Sequence, residues 1–583
     1  MPGIIGCLSN TGTTKELLLA RKMMAYSRKN KDDKLYEDAF IRCTRTHLNV
    51  VGEKKTPVNL KHILAWVEGE FYNIDQLKVK FQLQAKSEGE ILLEAYLRQK
   101  LPAVLKSIDG YFCAVIYDSK KCTITLITDR YGIKPLYLWE KNGQLVYGSE
   151  LKCFLSFSSF IPKVRTSSIA QFLSFGHLSG SNTWFEDVVL LDASTLLTYD
   201  IKEERIIQKI RYWSWTEIKS VSISSEEAVS RLVELLNSAV DKRTKNISCQ
   251  HEFSLSLSGG LDSRAILGAI EEGENINAYT FGHPNSDDVR MAKQVAKQFN
   301  LKHHIFELNK NNWLNKRIEG IWRCDGAINC IHLHATQFQE TISSISKISL
   351  NGFAGDLVMG GSWIRHCDQR ISRSTIQDII GLDDMINIED PFFNINKEDP
   401  FFIDFRVRRF TAVGMQEIKE FENRLPFMDN DLMEFVYSLP DTYRYKNKLY
   451  TALLLNAFPK LFSGIPVTGF LHTFQPERNY YNVVLNQIDK IWKKLGWRQT
   501  DFAQYKSWTK LEMKTFSSIL IKDESIIKNF FRDKKFISNC FLQKDPLKIM
   551  RLLSMEIWFQ QVFNQKYLKT EELNIFYKDQ KFI

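Results

Sequence analysis

Residues 253–270 read FSLSLSGGLDSRAILGAI, and the fold of the chain's second half turns on them. Phe253, Leu255 and Leu257 alternate with serines at the period of a strand. The run ends in a Ser-Gly-Gly-Leu-Asp-Ser turn that passes straight into helix-forming residues. A strand that delivers a glycine-rich turn to a helix N-terminus builds an anion cradle. Gly259 and Gly260 free the backbone for positive φ, and the first unpaired amides and the helix dipole favour phosphate. Asp262 is the informative residue, because a carboxylate beside phosphates is repelled unless a divalent cation lies between them. The turn therefore reads as a pyrophosphate and Mg²⁺ site.

No GxxxxGK[ST] sequence occurs in the chain, so this is not a Walker loop. The pattern resembles the PP-loop of ATP pyrophosphatases, which cleave ATP between the α and β phosphates. That resemblance implies that Ser256, Ser258, Gly259, Gly260, Asp262 and Ser263 bind ATP, with Asp262 as a Mg²⁺ ligand.

The rest of the composition narrows the class. At 583 residues the chain has room for two or three domains, and its 44% hydrophobic and 25% charged residues are ordinary for a soluble enzyme. The net charge of +10 is dispersed, with no zinc-finger, RRM-like or basic-zipper pattern, so no nucleic-acid partner is expected. Ten cysteines without CxxC pairs point to free thiols in a reducing compartment. Cys324 and Cys330 lie near His332 and His334, but the spacing fits no standard zinc set and reads as buried thiols and loop histidines. The start MPGIIG lacks a signal-peptide pattern and no run of 18 apolar residues follows, so the expectation is a cytoplasmic protein with no membrane span.

Short β-type segments dominate the first 215 residues: 4–8, 63–71, 110–117, 123–129, 136–139 and 145–149. DGYFCAVIYD, DRYGIKPLY and YGSELK, in that order, resemble the N-terminal-nucleophile glutaminase domain of the asparagine synthetase family. That domain's chemistry is missing here. Members with a working glutaminase begin Met-Cys-Gly, whereas position 2 here is Pro, which carries no thiol to form a thioester. Where the family has Asn-Gly-Glu, this chain has Glu68-Gly69-Glu70, and a carboxylate at Glu68 repels the oxyanion an Asn stabilises. Cys7 is the other early thiol, inside the presumed first strand.

The second half reads as alternating strands and helices, hence a parallel sheet with ligands at the strands' carboxyl ends. Residues 215–225 read as a polar linker before a helix carrying Val229, Leu232, Val233, Leu236 and Val240 on one face. A second strand, 277–282, ends in Thr-Phe-Gly, which places Phe281 and Gly282 to line an adenine pocket. Ser286 then caps a helix with Asp287 and Asp288 in its first turn, where acidic residues suit the dipole as well as a ligand. Asp288 is counted with the ATP-binding residues. SLNGFAGDLVMGG at 349–361 resembles the family's Ser-Gly-Glu-Gly-x-Asp-Glu-x-x-Gly-Gly loop. Gly352 matches as an ATP-binding residue and Asp356 as the second acidic ligand to Mg²⁺. Phe353 and Leu357 stand where the family has glutamates. Glu422 to Asp429 resembles the family's E-x-R-x-P-F-L-D.

The resemblance runs collinearly over residues 1 to about 475 and fades beyond Pro476, where Lys, Phe and Trp recur at helical spacing. It implies a chain in two parts. Residues 1–214 form a degenerate N-terminal-nucleophile-hydrolase-like αββα domain, and 226–583 an α/β PP-loop domain whose parallel sheet is flanked by helices. The implied chemistry is ATP-dependent activation of a carboxylate as an acyl-adenylate, with amide formation by an amine, using ATP and Mg²⁺ with Asp262 and Asp356 as catalytic residues. The lysine that the family carries after its Leu-Pro segment is missing from IPVTGFLHTF at 465–474, with Lys460 the nearest substitute. A degenerate glutaminase domain, a Gly-Asp loop without flanking glutamates and a Ser-Asp-Asp segment are together similar to lasso peptide cyclases. That similarity implies a precursor peptide as substrate and a leader-peptide protease or recognition protein as partner. The alternatives are an ammonia-dependent asparagine synthetase and a non-catalytic ATP-binding scaffold.

Overall fold

The computed structural model describes residues 3–25, 30–244, 253–271, 276–381, 386–467, 487–488, 491–492, 501–533 and 535–564. In the first half, two antiparallel sheets face each other and carry helices on their outer sides. Strand alternation decides the layers. Ile4 and Leu8 point inward and meet Leu64, Trp66, Leu126 and Tyr147 between the sheets. Ile5 and Cys7, on the opposite face of the same strand, pack under Leu17, Ala20 and Met24 of helix Thr14–Met24. On the other side Ile63, Ala65 and Val67 take Ile91, Leu92 and Ala95 of helix Glu88–Leu97. The outcome is an αββα sandwich.

The second half is built on a five-stranded parallel sheet in the order Lys302–Glu307, Asn277–Gly282, Phe253–Ser256, Ile348–Asn351, Glu422–Arg424. The chain starts in the middle, builds outward to one edge, then returns to build the other. Phe253–Ser256 and Ile348–Asn351 are neighbours whose connections leave in opposite directions, which opens a crevice at their carboxyl ends. Helix Leu261–Ala269 and helix Asp287–Gln298 follow the first two strands. In the latter, Val289, Ala292, Val295 and Ala296 are buried.

Residues 218–224 run without regular structure up to the helix that starts at Ser225, and the segment is fastened at several points. Trp215 is 1% exposed and packs against Trp213 and Tyr437, and the strap beyond it is held by Val221 N–H to the Ser438 carbonyl at 3.0 Å and by the Tyr443 hydroxyl to the Ile223 carbonyl at 2.8 Å. In helix Ser225–Thr244, Leu235 is buried while Val233 is only half-buried, so the buried face is displaced from the expected stripe.

The stretch beyond residue 476 contributes helices Tyr505–Leu511, Met513–Leu520, Phe536–Leu542 and Pro546–Phe563. The last lies inside the protein. Trp558 packs on Trp322, Phe559 on Trp184 of the first half, and Arg551 donates to the Leu173 and Ser174 carbonyls. No helix among the described residues is long and apolar enough to cross a membrane.

Candidate active site

The glycine-rich turn after Phe253–Ser256 is wound on its own serines. Ser258 N–H donates to Ser263 Oγ at 3.0 Å, and Gly260 N–H donates to Ser258 Oγ at 3.2 Å. The expected positive φ is not used: Gly260 sits at φ −74°, because serine hydroxyls close the turn instead. Asp288 accepts from Gly259 N–H at 3.2 Å, so the first turn of the second helix braces the loop. Arg264, fully buried, donates to the Gly259 carbonyl at 2.9 Å and to the Ile465 carbonyl at 3.2 Å, fastening the loop to the segment at 461–466. Burial pulls its pKa down to about 10.

Across the crevice the loop after Ile348–Asn351 presses on Asp262. A Cβ added at Gly355 would stand 2.4 Å from Asp262 Cγ, and one at Gly352 would stand 2.8 Å from the Ser263 nitrogen. Glycine is required at both by this close approach. Asp262 Oδ2 accepts from Asp356 N–H at 3.1 Å and Oδ1 from the Tyr450 hydroxyl at 3.0 Å. Burial, and then the nearby Asp356 charge, push the Asp262 carboxyl up to about 7. A carboxylate held uphill in this way gains most from a cation.

Ser256, Ser258, Gly260, Asp262, Ser263, Gly352 and Asp356 line one cavity of about 460 Å³. Its far wall is Phe353, Leu357, Trp363 and Arg406. Trp363 is stacked on Phe402, 4.7 Å between centroids. Asp356 is exposed into the cavity. Two adjacent carboxylates with an open side form an oxygen donor set that suits Mg²⁺, which leans on phosphates and water for its remaining ligands. Among the described residues no cluster of three or more acidic, His or Cys side chains is arranged for a metal.

Phe281 and Gly282 do not line this cavity. Phe281 packs among Phe306, His334 and Phe338, and Gly282, at φ +152°, lies under the Phe502 carbonyl, where a Cβ would stand 3.2 Å away. Lys460 does not reach it either. It is exposed on the short helix Pro459–Phe462, and residues 468–474, where the missing lysine was expected, lie outside the described residues, as does Pro2. Cys324 and Cys330 are buried, burial pulls His334 down to about 3, His332 is exposed, and among the described residues none of the four belongs to a cluster of metal-ligating side chains.

Glu422-Asn423-Arg424 does not touch the cavity. Arg424 pairs with both oxygens of Glu70, at 2.9 and 2.6 Å, and Glu422 lies 3.4 Å from Lys134, so this strand ties the parallel sheet to the sandwich. Lys134 also faces Glu68 at 3.6 Å, and Arg45 stands 3.9 Å from it on the other side. Burial raises the Glu68 carboxyl despite both cations. Cys7 is buried and its thiol is pushed up to about 12. Sequence reasoning missed Tyr450, Trp363 and Arg406, which approach from elements whose pattern is that of ordinary packing.

Residues 1–213 match the family described as a glutamine amidotransferase domain, and residues 231–390 that described as asparagine synthase. Asparagine synthetase [glutamine-hydrolyzing] 2 of Bacillus subtilis is 24% identical over 443 residues, 66% of this chain and 58% of that one. Asparagine synthetase B [glutamine-hydrolyzing] of Escherichia coli is 28% identical over 325 residues, 52% of each. The chain thus spans a little over half the length of these curated relatives. The chain thus carries a glutamine amidotransferase domain followed by an asparagine synthase domain, and in the second the glycine loops of the parallel sheet meet at Asp262 and Asp356.

Proposed function

We propose that this protein is an ATP-dependent, glutamine-independent carbon–nitrogen ligase that closes a macrolactam on a precursor peptide. The observation that carries the ligase reading is the pair Asp262 and Asp356 facing one cavity beside the serine-wound turn. A substrate carboxylate oxygen attacks the α-phosphorus of ATP, the bond to the β-phosphate oxygen breaks, and pyrophosphate leaves. An amine then attacks the acyl carbon, AMP leaves, and the amine gives up a proton. Bound Mg²⁺ supplies charge neutralisation for the phosphates, with Asp262 and Asp356 as its holders. The chain's own part is to position the reactants and fix charge, through the serine-wound turn of Ser258, Gly260 and Ser263 that faces the cavity.

The peptide reading is supported by the cavity's outer wall. Phe353, Leu357 and Trp363 offer an apolar surface, and beyond Asp262 and Asp356 no acidic side chain among the described lining residues stands ready for the ammonium of free aspartate. Glutamine independence is supported by Glu68 engaged with Arg45 and Lys134 and by a Cys7 thiol that burial keeps protonated. ATP–pyrophosphate exchange tests the whole reading, run with free aspartate and, separately, with peptides encoded beside the gene. Exchange with a peptide is expected. Exchange with aspartate together with ammonia-dependent asparagine formation would replace the peptide reading by an asparagine synthetase, and no exchange with any carboxylate would leave an ATP-binding scaffold.

A further inference from the structure

We propose that Arg406 is the cation that receives the departing pyrophosphate in this cavity, a reading that rests on the ATP-activating function above. Arg406 belongs to the ten-residue π-helix Ile403–Ala412, which carries three arginines with different employment. Arg408 donates to Asp404 and to the Leu191 carbonyl, and Arg409 to the Leu178 and Asn182 carbonyls. Arg406 makes no hydrogen bond or ion pair through its guanidinium with any described residue, and is held by stacking on Phe410, 3.9 Å from the ring centroid.

Among the described residues that line the cavity Arg406 is the single basic one, and it shares that lining with Asp262, Asp356 and the turn's serines. Half-buried there, its charge is disfavoured by desolvation and answered in part by Asp356 across the gap. An arginine whose planar face is fixed and whose five donors stay available in a partly desolvated cleft is arranged for a phosphate fork. Charge accounting gives the same direction. Asp262 and Asp356 would be engaged by a bound cation, so the negative charge that grows on the leaving pyrophosphate needs a second positive group. The π-helical winding, which is rare and recurs at functional sites, turns this residue towards the cavity while its neighbours face the sandwich.

The test is calorimetric titration of the full chain in Mg²⁺ with inorganic pyrophosphate, ATP and AMP. Arg406→Ala is expected to weaken pyrophosphate about tenfold or more, the worth of a charge-assisted hydrogen bond, and AMP by less than about twofold. Arg406→Lys is expected to recover part of the loss, because a point charge replaces a fork. Pyrophosphate affinity unchanged in Arg406→Ala overturns the assignment, and so does an equal loss for AMP that Arg406→Lys does not repair, which marks a packing role. Wild-type protein that binds neither ATP nor pyrophosphate overturns the nucleotide reading and this one with it. Asp262→Asn separates the two cases: it weakens pyrophosphate if the nucleotide reading holds, whatever Arg406 does.

Discussion

A methyl group on Gly355 would stand 2.4 Å from the Cγ of Asp262, so the backbone of one loop is the wall against which the other loop's carboxylate rests. Gly355→Ala is expected to push Asp262 out of its hydrogen bonds with Tyr450 and Asp356. Overpacking of this kind costs about 1–3 kcal/mol. Thermal unfolding reads that cost, and titration with MgATP reads the larger effect, a loss of Mg²⁺-dependent binding.

Asp262 has a carboxyl raised to about 7, above its ordinary value of 3.8. The folded chain therefore holds a proton that the unfolded chain releases between these values, and this group's contribution to stability falls as pH rises through that window. Cation binding needs the ionised form. Mg²⁺-dependent nucleotide affinity is expected to fall below pH 7, approaching tenfold per unit. The slope should vanish in Asp262→Asn, in which exchange is abolished.

The Tyr450 hydroxyl donates to Asp262 and holds its carboxyl lower than burial alone would. Tyr450→Phe removes that donor, so the midpoint of the same pH profile is expected to move upward by about half a unit to one unit. A profile that stays in place means the hydroxyl does not set the protonation of Asp262.

Arg424 and Glu70 form a two-point pair buried between the halves of the molecule. Arg424→Ala leaves Glu70 uncompensated and is expected to cost about 3–5 kcal/mol. Denaturant unfolding followed separately by fluorescence and limited proteolysis should then show the two halves melting apart.

Pro2→Cys is expected to release no glutamate from glutamine, since Glu68 keeps its carboxylate between Arg45 and Lys134. Glutaminase activity in that single variant would overturn the role given to Glu68. Native Cys7 should resist alkylation at pH 8, as its pKa of about 12 requires.

Local pattern carried a large part of this protein. The alternation of Phe253, Leu255 and Leu257 and the glycine turn after them were enough to predict a strand, a loop and a helix, and Asp262 announced a cation because charge beside phosphate needs one. Strand 277–282 and the Ser286 cap were legible for the same reason: period and capping are properties of neighbours in sequence. The surroundings of Phe281 and Gly282 were not, since Phe281 packs on Phe306, His334 and Phe338 and Gly282 lies under the Phe502 carbonyl, contacts that local pattern does not show.

What the sequence determined by itself is therefore the pair of glycine loops and the carboxylates, Asp262 and Asp356, that stand on them. Tertiary structure decided which groups complete them. Tyr450 is 188 residues from the carboxylate it serves, and Arg406 and Trp363 arrive on segments whose residues look like packing when read locally. It also decided that Glu422 and Arg424 tie the parallel sheet to the sandwich, because an ion pair needs a partner and the partners, Lys134 and Glu70, lie in the other half of the chain. Such choices depend on which face of each element turns towards which neighbour, and that is settled only when the cores close and bring distant residues together.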